Sequence, residues 1–188
     1  MNKKEKTPLN STLMKELLLE LGTRLQDLDK KVDIGVYGGA VICMEYELRQ
    51  TSFDIDCVYT DMIIDKLVAD IAKKYNIQSD WMNSAVRDIV FDDMKYQEMV
   101  KTVQYGGLCI SLPSIEQMLA MKLYAARLRT SSDFDDAYSL CKLMGITTGT
   151  ELRAILTKFF KHESIRLRNK TDGNTIGRFI NKLSEALR

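Results

Sequence analysis

Two aspartates separated by one residue form the pattern in this sequence that is most suggestive of chemistry. Asp54 and Asp56 flank Ile55 in a stretch rich in Ile and Val that predicts a short strand from Asp54 to Tyr59. Residues i and i+2 of a strand point to the same face, so the two carboxylates would lie side by side while Ile55 points into the core. Two like charges this close are costly unless a cation lies between them, and Mg²⁺ suits such oxygen ligands. We therefore predict a metal site formed by Asp54 and Asp56.

A glycine pair lies upstream of the aspartates. Val32–Tyr37 predicts a strand that stops at Gly38 and Gly39, and a helix-like pattern follows over residues 40–48. Glycine exposes backbone N–H groups without a Cβ, and these groups, with the positive end of a helix dipole, suit a phosphate. A phosphate site opposite a two-carboxylate metal site is typical of metal-assisted phosphoryl or nucleotidyl transfer. The sequence contains neither a Walker A loop nor the third glycine of a dinucleotide fingerprint.

The glycine pair and the aspartates belong to a longer series of segments, Gly38-Gly39-Ala40, Arg49-x-Thr51 and Asp54-Ile55-Asp56. This series resembles the first motif of the DNA polymerase β-type nucleotidyltransferase superfamily, and the nearer match is its bacterial branch of AbiEii- and MenT-type toxins and uncharacterised relatives. The resemblance implies transfer of a nucleoside monophosphate from an NTP to an acceptor with Mg²⁺ or Mn²⁺. It implies catalytic, metal-binding roles for Asp54 and Asp56, and nucleotide-binding roles for Gly38, Gly39, Arg49 and Thr51.

A second block of residues lies on two predicted helices. Lys122 and Arg129 are seven residues apart and project from nearly the same face of the first helix, whereas Asp133 and Asp136 share a face of the next. The block resembles a helix and a trailing acidic motif of the same branch. The resemblance implies catalytic roles for Lys122 and Asp136 and nucleotide-binding roles for Arg129 and Asp133. The alternative is a solvated salt-bridge patch between consecutive helices.

The resemblance, which covers roughly residues 30–145, lacks one part of the superfamily's site. Polymerase-type sites usually carry a third carboxylate on a later strand, and the predicted strand over residues 108–112 contains no acid. The other candidates are Asp92, Asp93, Glu98 and, from a helix, Asp136. Besides the enzyme, the sequence therefore leaves open a catalytically degenerate nucleotidyltransferase fold that acts as a binding or regulatory module.

The hydrophobic spacing predicts the elements that must position these residues. A leucine stripe predicts a first helix from Asn10 or Ser11, and Gly106-Gly107 predicts a hairpin between residues 98–105 and 108–112. Ser114 begins a capping box and a helix through about Arg129, whereas residues 78–95 are predicted irregular or weakly helical. The order α-β-α-β-α-β-β-α-α-α predicts an α+β fold, with a small mixed sheet flanked by helices and a helical C-terminal region.

The predicted domain organisation has three parts. Residues 1–10 are expected to be a flexible basic arm, residues 11–145 a nucleotidyltransferase-like core, and residues 146–188 a basic helical region packed on that core. Residues 151–188 carry nine Lys or Arg and four Asp or Glu, which gives a charge of +5. Such a region is either a nucleic-acid-binding surface or a solvated helical face. The first alternative favours RNA as the acceptor.

The composition limits the remaining classes of function. The 188 residues, 45% of them hydrophobic, are typical of a soluble globular chain, and no apolar run approaches a transmembrane helix. Four widely spaced cysteines and the single His162 argue against a zinc cluster and a Ser-His-Asp triad. We expect a cytoplasmic protein that binds an NTP and a tRNA or protein acceptor. A toxin would also bind a cognate antitoxin, and neither a membrane nor a specific DNA sequence is expected as a partner.

Overall fold

The structure, a computed structural model, describes residues 6–126 and 131–188. The chain divides into two compact units. The first takes the chain up to Arg87 together with Met99–Leu112, and the second takes Asp88–Glu98 together with Pro113–Arg188. This division differs from the predicted boundary at residue 145, because helices on both sides of that residue belong to the second unit. In the described ranges, no helix has the length and apolar composition needed to cross a membrane.

The first unit is a mixed sheet with helices. Its elements are, in chain order, β1 (Leu9–Asn10), α1 (Ser11–Asp27), β2 (Val32–Tyr37), α2 (Gly38–Met44), β3 (Thr51–Ser52), β4 (Ile55–Val58), α3 (Ile63–Tyr75), β5 (Met82–Asn83), β6 (Met99–Tyr105) and β7 (Leu108–Pro113). Within the described residues, one sheet has the order β5-β4-β2-β7-β6, and β1 pairs separately with β3. Strand β2 is antiparallel to β4 and parallel to β7. The predicted α+β class is confirmed.

Local sequence signals explain where these elements begin and end. The side chain of Asn10 accepts a hydrogen bond from the Leu13 N–H at 2.8 Å, which caps α1 as predicted. The predicted leucine stripe buries one face of α1. The hairpin between β6 and β7 turns at Gly106, where φ is +53°, a conformation that favours glycine. Local sequence therefore specifies where α1 begins and where the β6–β7 hairpin turns.

Three segments differ from the prediction. Residues 1–10 are not all a flexible arm, because β1 pairs with β3 and Leu9 is fully buried. Segment 78–95 contains β5 and a π-helical turn over Ile89–Asp93. Strand β4 begins at Ile55, so Asp54 lies immediately before the strand rather than in it.

The second unit is mostly helical. Its helices are α4 (Ile115–Ala125), α5 (Ser131–Met144), α6 (Gly149–Phe159), α7 (His162–Thr171) and α8 (Thr175–Ala186). Ser114 Oγ accepts a hydrogen bond from the Gln117 N–H at 3.1 Å, which confirms the predicted N-cap of α4. Helix α4 ends at Ala125, earlier than predicted, and residues 127–130 lie outside the described ranges. Residues 172–174 separate α7 from α8.

Substitution of Ile55 tests whether the buried side chains of β4 hold this strand, and with it the two aspartates, in place. Its side chain is fully buried, as predicted, so Ile55→Ala should lower the free energy of unfolding by about 2–4 kcal/mol through lost burial and a cavity. Urea unfolding followed by circular dichroism measures this change. The matched control is Met62→Ala, because Met62 is 81% exposed, and we expect a change below about 0.5 kcal/mol. Equal effects of the two variants would contradict the packing described for β4.

Candidate active site

The turn between β2 and α2 brings the backbone of Gly38 against Asp56. Gly38 has φ +71°, and a Cβ at this position would lie 2.4 Å from Asp56 Oδ2. That distance is far inside van der Waals contact, and the conformation itself disfavours a side chain. Any side chain at residue 38 would require the Asp56 carboxylate to move, so this close approach of the backbone to the carboxylate favours glycine.

The second glycine of the turn lies beside an arginine. A Cβ at Gly39 would lie 2.7 Å from Arg49 Nη1 and 3.0 Å from Ser52 Oγ. Arg49 Nε donates a hydrogen bond to the Thr51 carbonyl oxygen at 2.7 Å, which fixes the direction of the guanidinium group. Arg49 is only partly exposed. The structure thus places a cation with several hydrogen-bond donors next to the glycine backbone. The nucleotide-binding roles that the resemblance implies for Gly39, Arg49 and Thr51 stay predictions.

The pairing of β4 with its two neighbours fixes the positions of the aspartates. Asp56 pairs with Tyr37 on β2 and with Asn83 on β5. Asn83 Nδ2 donates a hydrogen bond to Asp54 Oδ2 at 3.4 Å. Ile55 and Cys57 are fully buried, whereas Asp54 and Asp56 are partly exposed. The alternation predicted for this segment is therefore present, and Asn83 is a neighbour of the aspartates that the sequence patterns did not indicate.

The side chains behind the aspartates are not reactive. Burial raises the pKa of the Cys57 thiol strongly, and the thiol donates a hydrogen bond to the Asn83 carbonyl oxygen at 3.3 Å. Burial also raises the pKa of Tyr37 to about 12, so its phenol stays protonated at neutral pH. The Trp81 side chain is fully buried and donates to the Val68 carbonyl oxygen at 3.0 Å. These residues support the strands and do not take part in acid–base chemistry.

The donor set fits a metal ion that also binds phosphates. Over residues 6–126 and 131–188, no three His, Cys, Asp or Glu side chains cluster as metal ligands. A closed site made only of protein ligands is therefore not found in those ranges. Mg²⁺ typically uses one or two carboxylates and completes its octahedron with water and substrate phosphates. Asp54 and Asp56 suit that arrangement, with the backbone of Gly38 and Gly39 nearby for a phosphate.

The second unit holds a separate group of charged residues, which we call the lysine cluster. Lys122 Nζ on α4 lies 3.0 Å from Asp133 Oδ1 and 2.8 Å from Asp136 Oδ2 on α5. The exposed fractions of the three side chains are 12%, 18% and 5%. The predicted proximity of these residues is present, and the cluster is too buried to be a solvated surface patch.

The predicted site residues thus fall into two groups. Gly38, Gly39, Arg49, Thr51, Asp54 and Asp56 lie in the first unit, whereas Lys122, Asp133 and Asp136 lie in the second. In the first group, Gly38 lies against Asp56, Gly39 lies beside Arg49, and Arg49 donates a hydrogen bond to the Thr51 carbonyl oxygen. Two consecutive helices bring the second group together. Arg129 lies outside the described residues, so its nucleotide-binding role stays a prediction.

Because the lysine cluster is largely buried, we expect that replacing Lys122 with a neutral residue lowers the stability of the protein strongly. Lys122→Met should lower the free energy of unfolding by about 3 kcal/mol, because the buried carboxylate of Asp136 and the partly exposed carboxylate of Asp133 lose the cation that they share. Urea unfolding at neutral pH measures the loss. The triple variant Lys122→Met, Asp133→Asn, Asp136→Asn should recover part of it, because the two carboxylates that had shared the lysine are then neutral. A loss below about 1 kcal/mol for Lys122→Met would instead indicate a solvated ion pair.

Comparison with known proteins identifies the family to which this chain belongs. No curated protein matches the sequence. A solved structure of an antigenic nucleotidyltransferase-like protein from Paracoccidioides brasiliensis is similar over 90% of this chain and 94% of its own, at 17% identity and a TM-score of 0.47. A superposition of this quality does not carry a function from one protein to the other. Residues 14–158, however, match the family described as nucleotidyltransferase of unknown function (DUF6036), and the chain belongs to that family.

Proposed function

We propose that this protein transfers a nucleoside monophosphate from an NTP to a hydroxyl group, with Mg²⁺ or Mn²⁺ held by Asp54 and Asp56. The observation that carries the proposal is the approach of the Gly38 backbone to Asp56, at a position where the space and a φ of +71° both favour glycine. This approach juxtaposes a surface without side chains, suited to a phosphate, and a carboxylate suited to a metal ion. Membership of a nucleotidyltransferase family supports the same chemistry.

The reaction divides into binding, orientation and charge stabilisation. The acceptor oxygen forms a bond to the α-phosphorus, the bond from that phosphorus to the pyrophosphate breaks, and the hydroxyl proton leaves to a carboxylate or to water. The metal ion would stabilise the negative charge that develops on the phosphate oxygens. Asp54 and Asp56 would hold that ion, Gly38 and Gly39 would let the phosphates approach, and Arg49 would bind a phosphate oxygen.

The proposal also includes an acceptor and a biological role. A tRNA hydroxyl and a protein hydroxyl are both compatible with the chemistry, and the charge of +5 over residues 151–188 favours RNA. The resemblance of the first motif to AbiEii- and MenT-type toxins supports a role in toxin–antitoxin or phage-defence systems, where a cognate antitoxin would be a partner. The resemblance further implies catalytic roles for Lys122 and Asp136 of the lysine cluster, with Asp133 as the alternative acid, and these roles stay part of the proposal.

One observation favours a second candidate function. Among the described residues, no third acidic side chain joins Asp54 and Asp56, and Glu98 is engaged by a hydrogen bond from Ser114 Oγ. A nucleotidyltransferase fold with such a donor set could bind nucleotide without transferring it. The protein would then act as a binding or regulatory module, and nucleotide binding without transfer is the result that distinguishes it from an enzyme.

Substitution of the aspartates tests the proposed enzyme. Asp54→Asn and Asp56→Asn should each abolish transfer while leaving the circular dichroism spectrum unchanged, because the isosteric amides keep the shape of the site and remove the charge that holds the metal ion. Transfer is measured with each α-³²P-labelled NTP and Mg²⁺ or Mn²⁺. A tRNA pool and a protein extract serve as acceptors, and label in either is scored after electrophoresis.

Asp27→Asn is the matched control, because Asp27 is an exposed aspartate at the end of α1 in the same unit. We expect this variant to transfer label at the wild-type rate. Transfer by Asp56→Asn at the wild-type rate would overturn the assignment of the metal site. Absence of transfer by the wild type, combined with binding of the NTP, would favour the regulatory module instead.

A further inference from the structure

The N-terminal segment, residues 6–10, is attached to the strand that leads into the candidate site. Leu9 pairs with Ser52 and Asn10 pairs with Thr51 in the β1–β3 ladder. The Leu9 side chain is fully buried, so the attachment rests on an apolar anchor as well as on backbone hydrogen bonds. Thr51 is also the residue whose carbonyl oxygen orients Arg49. The segment and the candidate site therefore share one short strand.

Gln78 fixes the segment a second time, closer to the aspartates. Thr7 donates its backbone N–H to Gln78 Oε1 at 3.0 Å, and Gln78 Nε2 donates to the Thr7 carbonyl oxygen at 3.0 Å. The same Nε2 atom donates to the Phe53 carbonyl oxygen at 2.5 Å. Phe53 is directly followed by Asp54. One side chain thus connects Thr7 to the peptide group that precedes a proposed metal ligand.

These anchors place the side chain of Lys6 among acidic groups. Lys6 Nζ lies 2.6 Å from Asp80 Oδ2, and the two side chains are 44% and 54% exposed. The hydrogen bond with Asp80 raises the pKa of Lys6, burial opposes this effect, and the charges of Asp80, Asp54 and Asp56 add to the rise. Lys6 is therefore a protonated, solvent-accessible ammonium group within electrostatic range of both proposed metal ligands.

We propose that Lys6 is a phosphate-binding residue of the candidate site, which exchanges its contact with Asp80 for a contact with the triphosphate. This inference rests on the proposed function, since it names a further residue of the same site. An exposed ion pair contributes little to stability, and the segment is already held at Thr7 and Leu9. The Lys6–Asp80 pair is thus not needed to hold the segment, and its ammonium group is accessible to an incoming anion.

Binding measurements test this role without relying on turnover. Isothermal titration with Mg²⁺ and α,β-methylene analogues of the four ribonucleoside triphosphates gives the affinity of the full chain. Lys6→Gln should weaken binding by about fivefold, the scale of one partly exposed charge contact, and Lys6→Arg should restore it. Lys6→Gln should weaken the binding of magnesium tripolyphosphate by the same factor, because the proposed contact is to phosphate. The difference in affinity between the wild type and Lys6→Gln should become smaller at high salt.

Two further variants separate phosphate binding from a structural role. Lys66→Gln removes an exposed lysine of α3 in the same unit and should leave the affinity unchanged. Asp80→Asn removes the competing carboxylate, so we expect unchanged or tighter binding, and any gain should disappear in the double variant Lys6→Gln, Asp80→Asn.

The outcomes distinguish this inference from the proposed function on which it rests. Equal affinities of the wild type and Lys6→Gln would overturn the inference and leave the proposed function standing. Equal weakening by Lys6→Gln and Asp80→Asn would also overturn it, because the ion pair would then only hold the segment. A wild type that binds none of the four analogues would overturn both.

Discussion

The contact between the backbone of Gly38 and the carboxylate of Asp56 is the constraint on which the candidate site depends. A Cβ at residue 38 would lie 2.4 Å from Asp56 Oδ2, and φ there is +71°, so glycine is favoured at the turn. The register of β4 on β2, which sets Asp56 opposite Tyr37, brings the carboxylate to this turn. A shift of one residue would exchange Asp56 for Ile55 or Cys57 and expose an apolar side chain. The burial of Ile55 and Cys57 therefore maintains the register that places the carboxylate beside the glycines.

The two units use charged residues in opposite ways. In the first unit, Asp54 and Asp56 are partly exposed, Arg49 lies beside the Gly39 backbone, and Lys6 forms an exposed ion pair with Asp80. In the second unit, Lys122 is enclosed with two aspartates, one of which is only 5% exposed. A buried cluster of this kind is costly to break, so it favours a fixed arrangement over exchange with a ligand.

The sequence predicted those parts of the structure that depend on local patterns. The strand Val32–Tyr37, the glycine turn, the burial of Ile55 and the capped helix at Ser114 each follow from spacing over a few residues, and each is confirmed. The prediction was wrong about residues 6–10, because the pairing of Leu9 with Ser52 joins distant parts of the chain. It missed Asn83 and Lys6 as neighbours of the aspartates for the same reason. Such contacts depend on the order of strands in the sheet, which no single-sequence pattern specifies.

A crystal structure with Mn²⁺ and an α,β-methylene ribonucleoside triphosphate would test the central claim most directly, because the anomalous signal of manganese locates the ion without ambiguity. We expect an ion bound by the carboxylates of Asp54 and Asp56, with a phosphate group against the backbone of Gly38 and Gly39. An ion and nucleotide bound elsewhere, with Asp54 and Asp56 contacting neither, would contradict the proposed site.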